Sequence, residues 1–177
     1  SDTSCPTDYK CVQGCGSPAP RPDEPSPSYF CQLRGYKKPY GCPICLAENT
    51  LIDTPLGAVP VQQLQKGTAI WTVNILGLRV PATILETAKT PVPPTHRVIH
   101  LTLDDGRELF ASPGHPTGDG RVVGDLSKGD ILNGGRVVTV ESILYQKDFT
   151  YDVLPSGETG LYWANGILVG STLFHSK

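Results

Sequence analysis

Val61-Gln62-Gln63-Leu64-Gln65-Lys66-Gly67-Thr68 is echoed by Val123-Gly124-Asp125-Leu126-Ser127-Lys128-Gly129-Asp130, with valine, leucine, lysine and glycine matching in register. In each copy an apolar residue anchors a turn, and Lys-Gly opens the next strand. Two stretches at equivalent places in two halves of one domain imply a duplicated fold with pseudo-twofold symmetry. Outward from the echo, apolar and β-branched residues alternate or cluster in short runs at 69–73, 80–85, 98–103, 108–111, 137–144, 151–154 and 162–169, the pattern of strands. The breaks carry turn chemistry. Asp104-Asp105-Gly106 predicts a tight hairpin, and Asn133-Gly134-Gly135 and Pro155-Ser156-Gly157 predict further turns. Helical periodicity is weak, leaving one or two helical turns near residues 61–64 and 123–126. The expected fold class is mainly β.

The 177 residues suit one domain with an appendage. Seventeen prolines and 19 glycines favour turns and short strands over long helices. A net charge of −2 with no basic stripe argues against a nucleic-acid partner. No apolar run approaches the roughly 20 residues of a membrane span. All six cysteines, Cys5, Cys11, Cys15, Cys31, Cys42 and Cys45, fall in the first 45 residues. An even, clustered set among Pro18, Pro20, Pro22, Pro25 and Pro27 points to disulfides and an oxidising compartment. The spacings Cys11/Cys15 and Cys42/Cys45 would also suit a structural zinc in the arm. Residues 1–44 hold too few aliphatic side chains for a core, so they read as an irregular, Cys- and Pro-rich arm before the β domain.

The run Cys45-Leu46-Ala47-Glu48-Asn49-Thr50-Leu51-Ile52-Asp53-Thr54-Pro55-Leu56-Gly57 resembles the opening of a Hint domain, the fold shared by inteins, the hedgehog processing domain and bacterial intein-like proteins. Leu109-Phe110-Ala111-Ser112-Pro113-Gly114-His115-Pro116 is similar to that family's Thr-x-x-His block, with Ser112 in the threonine place. Phe149-Thr150-Tyr151-Asp152-Val153 is similar to the late block that carries an aspartate, and Tyr162-Trp163-Ala164-Asn165-Gly166-Ile167-Leu168-Val169 to the closing strand. The four blocks keep the family's order and span nearly all of residues 45–174. The resemblance implies a flattened horseshoe of short strands with internal symmetry over 45–174, an N-flank of 1–44 and a tail of 175–177.

The resemblance also implies autoprocessing at Ile44–Cys45. The Cys45 thiolate attacks the carbonyl of Ile44 one bond away, so proximity supplies much of the reaction. Peptide resonance opposes it. His115 is the candidate to protonate the leaving nitrogen, since imidazole works near neutral pH. Ser112 could hold the peptide through its hydroxyl. By the resemblance, Asp152 handles the thiol proton, a role that suits a buried carboxyl. Water or a small thiol or amine then resolves the thioester. No metal or organic cofactor is required, and a monomer acting on its own N-terminal segment is expected, in a secreted or cell-surface protein of bacterial type. His96, His100 and His175 have no motif and read as structural, and Tyr162 and Trp163 as packing.

Two departures narrow the chemistry. Splicing inteins end in His-Asn, whereas Val169 is followed by Gly170-Ser171-Thr172, and Asn165 lies inside the closing strand, so splicing is not expected. No lipid-binding extension follows the fold, so sterol transfer is not expected either. Cys42-Pro43-Ile44-Cys45 is a CxxC sequence, and a Cys42–Cys45 disulfide would act as a redox latch on the nucleophile. Alternatively Cys42 pairs within the arm. The rival function is a non-catalytic structural or binding module with a silent site, stapled by disulfides.

Overall fold

The two echoed stretches fold alike in the computed structural model, which describes residues 9–13, 29–33 and 45–174. Val61–Gln63 and Val123–Asp125 each form one 3-10 turn, closed by Leu64 N–H on Val61 O and by Leu126 N–H on Val123 O, both 3.3 Å. The leucines that leave the turns have nearly identical extended backbones, φ/ψ −76/144 and −75/144. Gly67 and Gly129 sit at φ 91 and 98, a left-handed conformation that costs glycine little. Their N–H groups bond Ile84 O and Val137 O, each at 2.8 Å. Each turn is tied at its start as well, Val61 N–H to Thr50 O and Val123 N–H to His115 O. The pseudo-twofold therefore places His115 where the other half has Thr50.

The strands are β1 (Tyr9–Gln13), β2 (Tyr29–Leu33), β3 (Leu51–Thr54), β4 (Gly57–Pro60), β5 (Ala69–Val73), β6 (Arg79–Pro91), β7 (Arg97–Leu103), β8 (Glu108–Ala111), β9 (Ile131–Leu132), β10 (Gly135–Leu144), β11 (Phe149–Pro155), β12 (Leu161–Ala164) and β13 (Ile167–Gly170). All pair antiparallel. One sheet runs β8-β7-β10-β9; the larger runs β11-β6-β5-β12-β3-β4, with β13 also on β12. The larger of two hydrophobic clusters joins these sheets, centred on Leu46, Ile52, Ile70, Leu101, Leu109, Leu126, Tyr162 and Ile167; a smaller one gathers Ala47, Val92, Val98 and Tyr145. The mainly β expectation holds, and Asp104-Asp105-Gly106 closes the β7–β8 hairpin through Gly106 at φ 87.

Three local readings differ. The run 162–169 is not one strand: Asn165, at φ 50, and Gly166, at φ 76, turn it into the β12–β13 hairpin. Asn165 is thus a turn residue, its side chain accepting from Leu51 N–H and donating to Glu108 O. Residues 51–60, read only as a motif, form the β3–β4 hairpin. The arm is not wholly irregular, because β1 and β2 pair, with Cys11 opposite Cys31. Cys5, Cys15, Cys42 and Ile44 lie outside the described residues, as does the tail 175–177.

If the two turns are equivalent supports, Leu64→Ala and Leu126→Ala should each cost about 2–5 kcal/mol of unfolding free energy, the range for a buried leucine. Urea titration of both variants checks this; a loss under half a kcal/mol in either would separate the halves.

Candidate functional site

Residues 45–47 lie as a short strand in the seam between the two sheets. Leu46 bridges Ala111 of β8 on one side and Tyr151 of β11 on the other. Leu46 N–H bonds Tyr151 O at 2.8 Å, Tyr151 N–H returns to Leu46 O at 2.9 Å, and Ala47 N–H bonds Phe110 O at 3.0 Å. Ser112 N–H holds Cys45 O at 3.0 Å. Leu46 is fully buried and Cys45 is 4% exposed, so the seam is anchored by packing as well as by the ladder.

Cys45 is a free, buried thiol. Strand alternation on β11 turns Thr150 and Asp152 to the same inward face. Thr90 of β6 is the direct cross-strand partner of Thr150. Cys45 Sγ lies 3.8 Å from Thr90 Oγ1. Burial pushes the Cys45 thiol above its usual range, and the negative charge of Asp152 pushes it further; the hydroxyls of Thr90, Thr172 and Thr150 act in the opposite direction by favouring the thiolate. Cys45 therefore keeps its thiol proton near neutral pH.

Asp152 is 1% exposed and both of its oxygens are engaged. Oδ1 accepts Val153 N–H at 2.8 Å and the Tyr162 hydroxyl at 2.5 Å. Oδ2 accepts Thr172 N–H at 2.7 Å and the Thr172 hydroxyl. Tyr162 is wholly buried, and burial together with the Asp152 charge holds its phenol well above the usual range, so it remains a donor. Thr172 bonds the carboxylate, and its hydroxyl also favours the Cys45 thiolate. Thr150 Oγ1 is buried and has no hydrogen-bond partner at bonding distance among the described residues.

His115 and Ser112 are fully buried. They belong to one turn, closed by His115 N–H on Ser112 O at 3.0 Å. The second 3-10 turn braces it: Val123 N–H bonds His115 O and Gly124 N–H bonds Pro113 O at 2.7 Å. At Gly124 a Cβ would stand 2.9 Å from the Pro113 carbonyl oxygen, so glycine permits the approach. Ser112 Oγ lies 3.1 Å from His96 Nε2.

The structure thus gathers Cys45 and Asp152 around one group of hydroxyls and binds Ser112 to the Cys45 carbonyl. It also brings in residues that the sequence reading left as structural or did not single out. His96 faces Ser112, Tyr162 is bonded to the aspartate, and Thr90, Thr150 and Thr172 surround the sulfur. The two-residue spacing of Thr150 and Asp152 on a strand was a usable signal; nothing local marked His96, Thr90 or Thr172. Among the described residues no group of three or more His, Cys, Asp or Glu could hold a metal ion. No helix among them is long and apolar enough to cross a membrane.

The fold is that of an intein-like Hint domain. The chain is similar to the DnaB intein of Synechocystis sp. PCC 6803, with 19% identity, TM-score 0.62, and coverage of 73% of this chain and 99% of that one. It is equally similar to the bacterial intein-like domain of Clostridium thermocellum, with 22% identity, TM-score 0.62, and coverage of 72% and 98%. The gp41-1 intein aligns at 24% identity and TM-score 0.55 over 71% of this chain and 97% of that one. No family model and no curated protein sequence matches the chain.

A buried hydroxyl with no hydrogen-bond partner weakens the fold. Thr150→Val should therefore raise unfolding free energy by roughly 1 kcal/mol, and should also move the Cys45 thiol titration further up by removing a thiolate donor. Denaturant melts and the pH dependence of Cys45 alkylation read the two effects; a destabilised variant would show that the hydroxyl has another role.

Proposed function

We propose that the chain is a single-turnover autoprocessing domain that cleaves its own Ile44–Cys45 bond by an N–S acyl shift. The observation that carries this reading is the setting of Cys45. Its backbone is fixed in the seam while its sulfur lies 3.8 Å from the Thr90 hydroxyl, in the field of a buried carboxylate. Likeness to intein-like structures supports the reaction class; Ile44 and Cys42 lie outside the described residues.

The thiol proton passes through the Thr172 hydroxyl to Asp152 Oδ2 as sulfur bonds the Ile44 carbonyl carbon. The carbon–nitrogen bond of the peptide breaks, and His115 gives its proton to the departing Cys45 nitrogen. The product is a thioester between Ile44 and Cys45. Water then attacks the same carbon and the carbon–sulfur bond breaks. One water proton restores His115, and the Asp152 proton returns to sulfur. A small thiol or amine could replace water. Ser112 orients the reacting peptide, having already fixed the carbonyl of Cys45. Splicing is not part of the proposal, because Val169 is followed by Gly170-Ser171-Thr172 and not by His-Asn.

A Cys42–Cys45 disulfide would withhold the nucleophile until a reductant releases it, which fits a secreted or cell-surface protein of bacterial type. Intact mass before and after mild reductant tests both claims. Reduced wild type should give residues 1–44 and 45–177, Cys45→Ala should remain whole, and Asp152→Asn should slow cleavage by roughly 100-fold, the scale of lost acid–base help. Cys42→Ser should cleave without reductant. A wild-type chain that stays whole under all conditions would establish the silent structural module instead.

A further inference from the structure

The loop from β6 to β7 brings a second histidine to the site. His96 N–H is anchored on Pro93 O, and His96 O accepts Tyr145 N–H, both at 2.9 Å. The Tyr145 ring meets the imidazole edge to face, with centroids 6.0 Å apart. Tyr145 is itself fixed, its hydroxyl donating to Phe149 O at 2.6 Å and accepting Glu48 N–H at 2.9 Å. The half-buried imidazole is thus held by its backbone and by Tyr145, with Nε2 aimed at Ser112 Oγ, 3.1 Å away. Ser112 is the residue whose N–H already holds Cys45 O.

A serine hydroxyl differs from a threonine hydroxyl in one respect that matters here. Threonine carries a second heavy atom on Cβ, which restricts χ1; serine has no such restraint and its oxygen samples more rotamers. A buried serine that must present its oxygen in one direction needs an external partner, and His96 is placed to be that partner. We propose that His96 is the positioning residue for Ser112, fixing its hydroxyl in one rotamer beside Cys45 so that the pair does together what a β-branched residue would do alone. This rests on the reading of Cys45 as nucleophile and adds a residue to that machinery. With Nε2 bare, the imidazole accepts the Ser112 hydroxyl proton and leaves the Oγ lone pairs for the reacting peptide. Once protonated, Nε2–H donates to Oγ instead and the hydroxyl proton must turn elsewhere.

The sign of the pH effect follows. Burial lowers the His96 midpoint below its ordinary value of 6.5, so the productive neutral form prevails at neutral pH and is lost as pH falls through that lowered midpoint. The titratable group packed on the ring is Tyr145, whose phenol burial pushes up to about 12, so it stays neutral. Glu48, beyond that phenol, lies 3.8 Å from Lys147. Arg97, next in the chain, is turned to Ser142. No ion pair engages His96 among the described residues.

Cleavage rates of a coupled set of variants test the pair, with folding of each checked by thermal melting. His96→Phe keeps the contact with Tyr145 but no acceptor, and should slow cleavage roughly three- to tenfold, the loss of one neutral hydrogen bond. Ser112→Ala should slow it similarly, and the double variant no further. Adding Ser112→Thr to His96→Phe should restore the rate and remove the acid limb of the pH profile. His96→Gln, which keeps a side-chain acceptor, should cleave near the wild-type rate without that limb and serves if the phenylalanine variant does not fold. Separately, in the Cys45→Ala chain, the NMR signal of His96 Nε2, read above the imidazole midpoint, should shift when Ser112 is replaced by alanine, because that nitrogen loses its hydroxyl partner. Wild-type rates in both His96 variants, losses that simply multiply, or an unmoved Nε2 signal would overturn the proposal. If the wild-type chain never cleaves, the autoprocessing reading fails, and the NMR comparison still decides whether His96 and Ser112 act as a pair.

Discussion

The backbone ladder on Leu46 is the constraint from which the rest of the site follows. A chain segment between two sheet edges must pair its amide groups on both sides or leave them buried and unsatisfied. Leu46 solves this by exchanging two bonds with Tyr151, while Ala47 and Cys45 bond the strand and turn around Ala111. Its side chain, wholly buried, anchors the register, because a shift of one residue would put the smaller Cys45 or Ala47 where the leucine fills the core. The sulfur is delivered to one place, against the face of β11 that carries Thr150 and Asp152.

That place combines two opposed influences. Burial and a carboxylate both disfavour the thiolate, and three hydroxyls favour it. The result is a thiol that keeps its proton at rest, beside a carboxylate it reaches through Thr172. In the autoprocessing proposed above, such a site needs no standing thiolate if the proton leaves as the bond forms. The same arrangement explains why a buried polar cluster is tolerated: each Asp152 oxygen has two donors.

The pseudo-twofold supplies scaffold and asymmetry together. The turns after Thr50 and after His115 are superimposable in their bonds, and Thr50 N–H reaches Ala47 O as His115 N–H reaches Ser112 O. Ala47 and Thr50 in one half therefore correspond to Ser112 and His115 in the other. Ser112 and His115 stand on one copy of the repeated frame; Cys45 lies just ahead of the other, and Thr90, Thr150, Asp152 and Tyr162 come from the larger sheet.

Much of this was legible in the residues. The echo at 61–68 and 123–130 declared the symmetry because Lys-Gly after a short apolar turn is a local device, set by glycine's access to positive φ. Strand alternation put Thr150 and Asp152 on one face, and the motifs marked Cys45, Ser112 and His115. The turn at Asn165-Gly166 was also written locally, as a left-handed pair, although the apolar run around it read as one strand. Tertiary structure alone decided the neighbours of those residues. Thr90, Thr172 and His96 carry no local signature, since a threonine or histidine in a strand or loop is ordinary in any β protein. Their importance comes from the closing of two sheets on residues 45–47, which brings groups far apart in sequence within a hydrogen bond of the sulfur, the carboxylate and the serine. Local pattern fixes backbone geometry within a few residues, whereas a site's chemistry depends on which distant side chains the packed core leaves facing one another.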